Sequence, residues 1–333
     1  MTASRRVVVT QRFFDEATVV YLQANGCEVA VADLPPGKGD GDFTQAELEA
    51  LLAGAAGWVV GHARVTRDLM AALPDLKVVS RRGVGYERVD LDAARDLGKV
   101  VAIAAGGNDA SVADHTIALI LAVARRFRES QANMLAGNWS ILMGSDLYRK
   151  TVGVVGAGRI GRSVVQRLRG FEAEVLVHGA SRDEAWAAVN NVAYVDMPTL
   201  LAKSDVVTLH APLTPATRLL IDADALAAMK PGAILINTAR GGLVDDAALL
   251  ESLQRGHLAG AGLDTFMSES DPALKPVTDA LLALPNVVAT PHAAASSREG
   301  LDRTNMVAAQ SVVAVLDGSD PAPGCVVADG RQR

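Results

Sequence analysis

The sequence predicts an α/β protein of two doubly wound parallel-sheet domains, and three observations carry that reading. The chain has 333 residues, too long for one typical domain and suited to two. Half of its residues are hydrophobic but only 4% are aromatic, so Ala, Val, Leu and Gly must fill the cores, a mixture that suits parallel strands buried on both faces under Ala-rich helices. Short apolar runs alternate with helical patterns throughout, the order expected of a parallel sheet with crossover helices.

The elements follow in order. A strand over 6–10 is followed by a helix over 15–25 ending at Gly26 and a strand over 28–32. The loop DLPPGKGDGD leads to a helix over 45–53, a strand over 57–61, a helix over 67–73, a strand over 77–80 and a short α/β unit over 90–103. One long helix is expected from Ser111 to Arg128, with Val112, His115, Leu119, Ala122, Val123 and Arg126 in register on one side. A second set opens with a strand over 151–155 and continues with strands near 174–178, 206–209, 233–236, 260–263 and 287–289. A last helix over 297–316 has no natural place in a six-stranded second unit, so it is expected to return to the first domain and leave the second set as an insertion.

Charge and cysteine usage narrow the function classes. The net charge is −6 with both signs dispersed, so there is no basic stripe for a nucleic-acid partner. The two cysteines, Cys27 and Cys325, lack metal-ligand spacing and read as free thiols in a reducing compartment; no metal is expected. The N-terminal apolar run, Val7–Val9, is too short for a signal-peptide core, and no stretch approaches the roughly 20 apolar residues of a membrane span. A cytoplasmic protein without a membrane partner is the expectation.

The segment TVGVVGAGRIGRSVVQRLRG places Gly156, Gly158 and Gly161 in the spacing G-x-G-x-x-G, directly after an apolar strand and at a helix start. Dinucleotide binding requires each part: the first glycine for the tight turn, the second for close approach of a pyrophosphate, the third for helix–strand packing. The N–H groups at the helix start, from Arg159 and Ile160 on, face the anion. The second set is therefore read as a Rossmann nucleotide domain. Its second strand, EVLVH, runs into Gly179, Ala180, Ser181 and Arg182, with no acid where an NAD site carries one for the ribose 2′-hydroxyl. Ser181 and Arg182 suit a 2′-phosphate instead, which favours NADP over NAD.

Three reactive side chains follow the C-terminal ends of later strands, where open α/β sheets bind ligands. Arg240 lies in AILINTARGGLVD, Glu269 in AGLDTFMSES and His292 in VVATPHAAAS. An imidazole can exchange a proton with a C2 hydroxyl, a neighbouring carboxylate can orient it, and a guanidinium can hold a substrate carboxylate. This assigns His292 as acid/base, Glu269 as its partner and Arg240 as the anchor. Each of the three also has an ordinary structural reading, and it is their combination behind one dinucleotide motif that carries the assignment.

With these residues in view, the chain resembles the D-2-hydroxyacid dehydrogenases over nearly its whole length. The likeness rests on SRRGVGYERVDLDAA, NDASVADHT, TVGVVGAGRIG, VVTLHAPLTPATRLLI, MKPGAILINTARGGLVD, LAGAGLDTF and ATPHAAAS, and its flavour is that of the phosphoglycerate and glyoxylate/hydroxypyruvate branches. The resemblance implies a discontinuous, flavodoxin-like substrate domain over 1–107 and 293–333, a nucleotide domain over 108–292, a cleft that closes on ligands, and a homodimer built on the nucleotide domain. It implies hydride transfer between a nicotinamide cofactor and C2 of a small D-2-hydroxy or 2-keto acid. Arg240, Glu269 and His292 fall on the family's catalytic trio, and Asp264 on the residue that holds the nicotinamide carboxamide. Val84 and Gly85 fall on the loop whose N–H groups bind the substrate carboxylate, and Asn108 on a position near the substrate. His210, Ala211, Pro212, Thr217 and Thr238 fall on segments that line the cofactor.

Some positions depart from the family pattern. Where F-E-x-E-P is common, this chain has Phe266, Met267, Ser268, Glu269 and Ser270; Asp114 replaces a usual Glu, and Gly179 replaces the Asp of NAD users. Arg81 and Arg82 read either as a solvated pair at a strand end or as partners for a second anionic group on the substrate. Trp139 and Met143 read as packing residues or as a cover over the substrate across a dimer. The alternatives to the dehydrogenase reading are a dinucleotide-sensing corepressor and an oxyanion dehydrogenase of the phosphite type.

Overall fold

The computed structural model describes residues 5–35 and 37–331. Residues 1–4, 332 and 333, the outer ends of the expected substrate domain, and Pro36 of the Pro/Gly-rich loop lie outside the described residues. In chain order the elements are β1 Arg6–Val9, α1 Glu16–Ala24, β2 Glu28–Val31, α2 Gln45–Leu52, β3 Gly57–Val60, α3 Arg67–Ala72, β4 Val78–Arg81, α4 Leu91–Asp96 and β5 Val100–Ile103. They continue with α5 Asp109–Ala124, α6 Phe127–Leu135, β6 Thr151–Val155, α7 Arg159–Leu168, β7 Glu174–His178, α8 Glu184–Asn190, β8 Ala193–Tyr194, α9 Met197–Lys203 and β9 Val206–Leu209. The last are α10 Ala223–Ala228, β10 Ile234–Asn237, α11 Asp246–Gln254, β11 Gly260–Leu263, α12 Lys275–Ala283, β12 Val287–Ala289, α13 Arg298–Leu316 and β13 Val326–Asp329.

The chain divides into two compact units, one running to Asn108 and resuming at Ser297, the other Asp109–Ser296. The first holds a sheet in the order β13-β5-β4-β3-β1-β2. Its strands RVVV, GWVV and VVAI are almost wholly buried because helices cover both faces, which is why they read as unbroken apolar runs. Trp58 is fully buried in β3, and its indole N–H donates to Thr10 Oγ1 at 3.0 Å, so the one polar atom of the ring is satisfied. Helix α13 packs on β3 and β4 of this sheet, and its Asn305 donates to Asp15 Oδ2 at 2.9 Å.

The second unit carries the order β12-β11-β10-β9-β6-β7-β8, all pairs parallel. The order turns back at β6 and β9, so the chain leaves adjacent strand ends in opposite directions and opens a crevice there. Many helices begin on a side-chain cap: Asp183, Asp196, Asp222 and Asp245 each accept a backbone N–H at the start of α8, α9, α10 and α11. Helix α7 is different, since its cap is Gly158 and no side chain closes its N-terminus.

Three features depart from the sequence reading. The expected helix over 111–128 is two helices: α5 ends at Ala124, Arg126 takes a left-handed φ of 54°, and α6 starts afresh. Arg126 has a charge to satisfy, pairing with Glu129 at 2.5 Å, while the Ala124 carbonyl accepts Ser145 N–H at 2.8 Å instead of continuing the helix. The second sheet gains a seventh strand, β8, whose two residues are too few to show a period. Finally, β13 adds to the edge of the first sheet antiparallel to β5, with Val326 opposite Ala102.

Candidate active site

The glycine-rich turn lies between β6 and α7, beside the point where the sheet order reverses. Gly156 has φ of 103°, a conformation that side-chain-bearing residues rarely adopt, and a Cβ there would stand 2.7 Å from the His210 carbonyl oxygen. A Cβ on Gly161 would stand 1.9 Å from the Gly156 oxygen, so helix and turn can meet only without one. At Gly158 a Cβ would meet nothing within 4 Å. The open space at Gly158 and the uncapped start of α7, with Arg159 and Ile160, form a cradle that fits a pyrophosphate.

Beyond β7, Ser181 and Arg182 are exposed. Asp183, the first acid past the strand, caps α8 through Trp186 N–H at 3.0 Å and pairs with Arg162 at 2.8 Å. The Arg162 guanidinium also lies over the Trp186 ring, 4.6 Å from its centroid. A Cβ on Gly179 would make only ordinary contacts, the nearest at 3.6 Å.

Arg240, Glu269 and His292 follow β10, β11 and β12, three neighbouring strands of one sheet. The Arg240 turn is shaped by Asn237, whose side chain donates to the Arg240 carbonyl at 2.9 Å and accepts Ala239 N–H at 3.1 Å. Glu269 Oε1 accepts Phe266 N–H at 2.7 Å, and Oε2 lies 2.6 Å from His292 Nδ1. A carboxylate accepts, so Nδ1 carries the proton and exchange with a substrate falls to Nε2. Burial would push the Glu269 carboxyl up; the hydrogen bond and charge of His292, the Phe266 N–H and the charge of Arg240 outweigh it and hold the group below the usual range.

Asp264 is fully buried and clamps the histidine loop: its oxygens accept Ala293 N–H at 2.7 Å, Ala294 N–H at 2.9 Å and the Thr290 hydroxyl. Since the Thr290 proton goes to Asp264, His115 Nε2 donates to Thr290 Oγ1, at 2.9 Å. His292 itself has a left-handed φ of 52°, and its N–H donates to the Asp264 carbonyl at 2.8 Å. Thr290, His115, Asn237 and Asp246, which accepts Met267 N–H at 3.0 Å, are supports that the sequence reading did not assign. Asn237 ends β10 and Asp246 opens α11, places where an Asx residue is common, while Thr290 and His115 carry no signal of their own in sequence; none of the four positions says which group is held.

The other expected residues fall as follows. His210 Nε2 lies 2.9 Å from Thr208 Oγ1, while Nδ1 is enclosed with no partner among the described residues; burial pushes its pKa down to about 3, so the ring is neutral. Ala211 is half-buried and Pro212 exposed, and Thr217 Oγ1 donates to the Pro212 carbonyl at 2.6 Å. Thr238 is buried with its hydroxyl 2.9 Å from that of Thr116. In the first unit, Val84 and Gly85 occupy the loop after β4, and Asn108 is buried with Oδ1 unpartnered among the described residues. Arg81 corrects the solvated reading: it is buried, and its guanidinium donates to the Gly85 carbonyl at 2.8 Å and to that of Gly61, so it shapes the loop. Arg82 is half-buried with Nη1 donating to the Arg12 carbonyl at 2.5 Å, which is not a solvated arginine. Trp139 and Met143 are 75% and 84% exposed, which removes the core-packing reading.

Comparison with known proteins adds to this geometry. Residues 117–294 match the family model described as D-isomer specific 2-hydroxyacid dehydrogenase, NAD binding domain. The chain is 42% identical over 287 residues to the D-3-phosphoglycerate dehydrogenase of Mycobacterium leprae, covering 85% of this chain and 52% of that protein. It thus spans about half the length of the first curated relatives it matches. It is 38% identical over 317 residues to the (S)-sulfolactate dehydrogenase of Chromohalobacter salexigens, covering 92% of this chain and 96% of that one. Among solved structures it is similar to the D-lactate dehydrogenase of Aquifex aeolicus complexed with NAD and lactic acid, at 29% identity and a TM-score of 0.80, over 97% of this chain and 98% of that chain. With a glycine-rich turn and an Arg, Glu and His on adjacent strand ends of the matched segment, this chain belongs to the D-isomer specific 2-hydroxyacid dehydrogenases.

Proposed function

We propose that this protein transfers hydride between a nicotinamide cofactor and C2 of a small D-2-hydroxy or 2-keto acid. The observation that carries the reading is the His292–Glu269 pair at 2.6 Å, set at the strand ends of a sheet that also bears the glycine-rich turn. The cofactor, when bound, supplies or accepts the hydride. His292 Nε2 gives a proton to the C2 oxygen during reduction and takes it back during oxidation. Glu269 fixes the ring tautomer and stabilises the imidazolium. Arg240 holds the substrate carboxylate. Gly156, Gly158 and Gly161, with Arg159 and Ile160, bind the pyrophosphate; His210, Ala211, Pro212, Thr217, Thr238 and Asp264 line the rest of the cofactor.

The preferred cofactor in this reading is NADP. Support comes from the committed Asp183, the exposed Ser181 and Arg182, and glycine at position 179. A homodimer is part of the same reading, supported by an exposed apolar run in which Leu135, Trp139, Ile141 and Met143 are 83%, 75%, 93% and 84% accessible. The buried free thiols Cys27 and Cys325 support a reducing, cytoplasmic setting.

The test is an absorbance assay of the purified protein with NADPH or NADH and a panel of glyoxylate, hydroxypyruvate, pyruvate, phenylpyruvate, 2-oxoglutarate and 3-phosphohydroxypyruvate. Loss of reduced cofactor that falls by about a thousandfold or more in His292→Ala is the expected result. Silence across the panel with tight dinucleotide binding would instead favour a sensor.

A further inference from the structure

Helix α11 begins where the Arg240 loop ends. Its cap is Asp245, which accepts the N–H groups of Ala247 and Ala248 at 3.0 and 3.1 Å. The next residue, Asp246, is therefore not needed as a cap, yet it is a carboxylate only 4% exposed. Its Oδ2 reaches to the neighbouring strand end and accepts Met267 N–H at 3.0 Å. Met267 opens the short turn that ends at Glu269, and the preceding N–H, that of Phe266, is taken by Glu269 itself at 2.7 Å. Two consecutive N–H groups of one turn are thus held by two carboxylates, one facing His292 and one behind. Gly241 presses the same two loops together, since a Cβ on it would stand 2.2 Å from the Phe266 oxygen.

We propose that Asp246 is a positioning residue for the hydride-transfer reaction, fixing the turn that presents Glu269 to His292. The proposal rests on the reading of His292 as acid/base. Asp246 touches neither partner directly; it acts through the Met267 N–H. Burial raises its pKa to about 6, the Met267 N–H opposes that rise, and the charges of Asp245 and Glu269 add to it. Arg240, on the same loop, acts on Glu269 through its charge, as His292 does. Near neutral pH Asp246 is therefore mostly ionised, the state in which it accepts the Met267 N–H most strongly.

The experiment compares Asp246→Ala, which removes both the acceptor and the charge, with Asp246→Asn, which keeps an oxygen for Met267 N–H and removes only the charge. In Asp246→Ala, kcat is expected to fall about tenfold or more while KM and dinucleotide Kd stay within about threefold, because the interaction acts on proton transfer and not on binding. Asp246→Asn should recover most of that loss. In Asp246→Ala the ring-nitrogen signals of His292, which report its hydrogen bond to Glu269, should move, and in Asp246→Asn they should stay near their wild-type positions. They are read by NMR on histidine-labelled protein, assigned by their absence in His292→Gln. An unchanged kcat in Asp246→Ala, or His292 ring signals unmoved in that variant, would overturn the proposal. If the wild type turns over none of the keto acids, the functional reading fails, and the His292 signals still decide the role of Asp246. If Asp246→Ala does not fold, Asp246→Asn decides it: His292 ring signals displaced there, with the Met267 acceptor kept, would overturn the proposal, and signals in place would support it.

Discussion

The glycine-rich turn and the Arg240–Glu269–His292 cluster lie along strand ends of one sheet, yet they are held in opposite ways. The turn owes its shape to missing atoms: Gly156 and Gly161 have no room for a Cβ, and at Gly158 the space is open. The cluster owes its shape to buried anions, Asp264 on the histidine loop and Asp246 on the glutamate turn, each taking backbone N–H groups that burial would otherwise leave unsatisfied. A site that grips phosphate oxygens needs backbone N–H groups left open. One that moves a proton needs N–H groups already occupied, so that the imidazole and its partner cannot drift.

Substitutions can break this contrast, the largest effect coming from the turn. Gly161→Ala puts a Cβ 1.9 Å from the Gly156 oxygen and is expected to destabilise the protein by about 2–4 kcal/mol. Gly158→Ala, with nothing within 4 Å, should leave Tm unchanged while weakening dinucleotide binding about tenfold or more. Thermal melts and titration calorimetry on the two variants separate packing from ligand approach, and equal losses of Tm would erase the distinction. On the anion side, the Asp246 pKa is raised from 3.8 to about 6, so its protonated form is the one favoured by folding. The stability it contributes is fully present below about pH 4 and is lost as pH rises through about 6, a difference of up to about 3 kcal/mol. Asp246→Asn should therefore be more stable than the wild type at pH 8, by about 1–3 kcal/mol, and equal to it near pH 4. Denaturant melts at both pH values check this, and a gain independent of pH would rule out ionisation as its cause. The smallest effect belongs to the segment after β7, where the proposed function puts the edge of the nucleotide site. Arg182→Ala should weaken NADPH about tenfold and leave NADH unchanged, which paired binding titrations would read; equal losses would count against a 2′-phosphate partner.

Much of the turn was legible in the sequence, because steric exclusion forces one residue type and glycine announces it. The positions of Arg240, Glu269 and His292 were legible because each follows an apolar strand. Their scaffolding was not: Asp246 and Asp264 look like any acid after a strand or at a helix start, and only the folded backbone shows whose N–H groups they take. The break at Arg126 escaped for a related reason, since the apolar register runs on past Ala124 and only the left-handed residue ends the helix. Arg81 escaped because its partners, the carbonyls of Gly85 and Gly61, carry no side-chain signal. The strand β13 escaped because its pairing with β5 is non-local.

The left-handed backbone of His292 has a consequence for any attempt to harden this protein. Its φ of 52° costs a residue with a side chain about 1 kcal/mol, an amount glycine would not incur. A library sorted for heat resistance alone would meet opposed terms there: glycine relaxes the backbone, but it loses more chain entropy on folding and strips Glu269 of its 2.6 Å partner. The residue that strains the loop is also the one that satisfies its carboxylate, so position 292 is the one to hold fixed while the rest of the chain is varied.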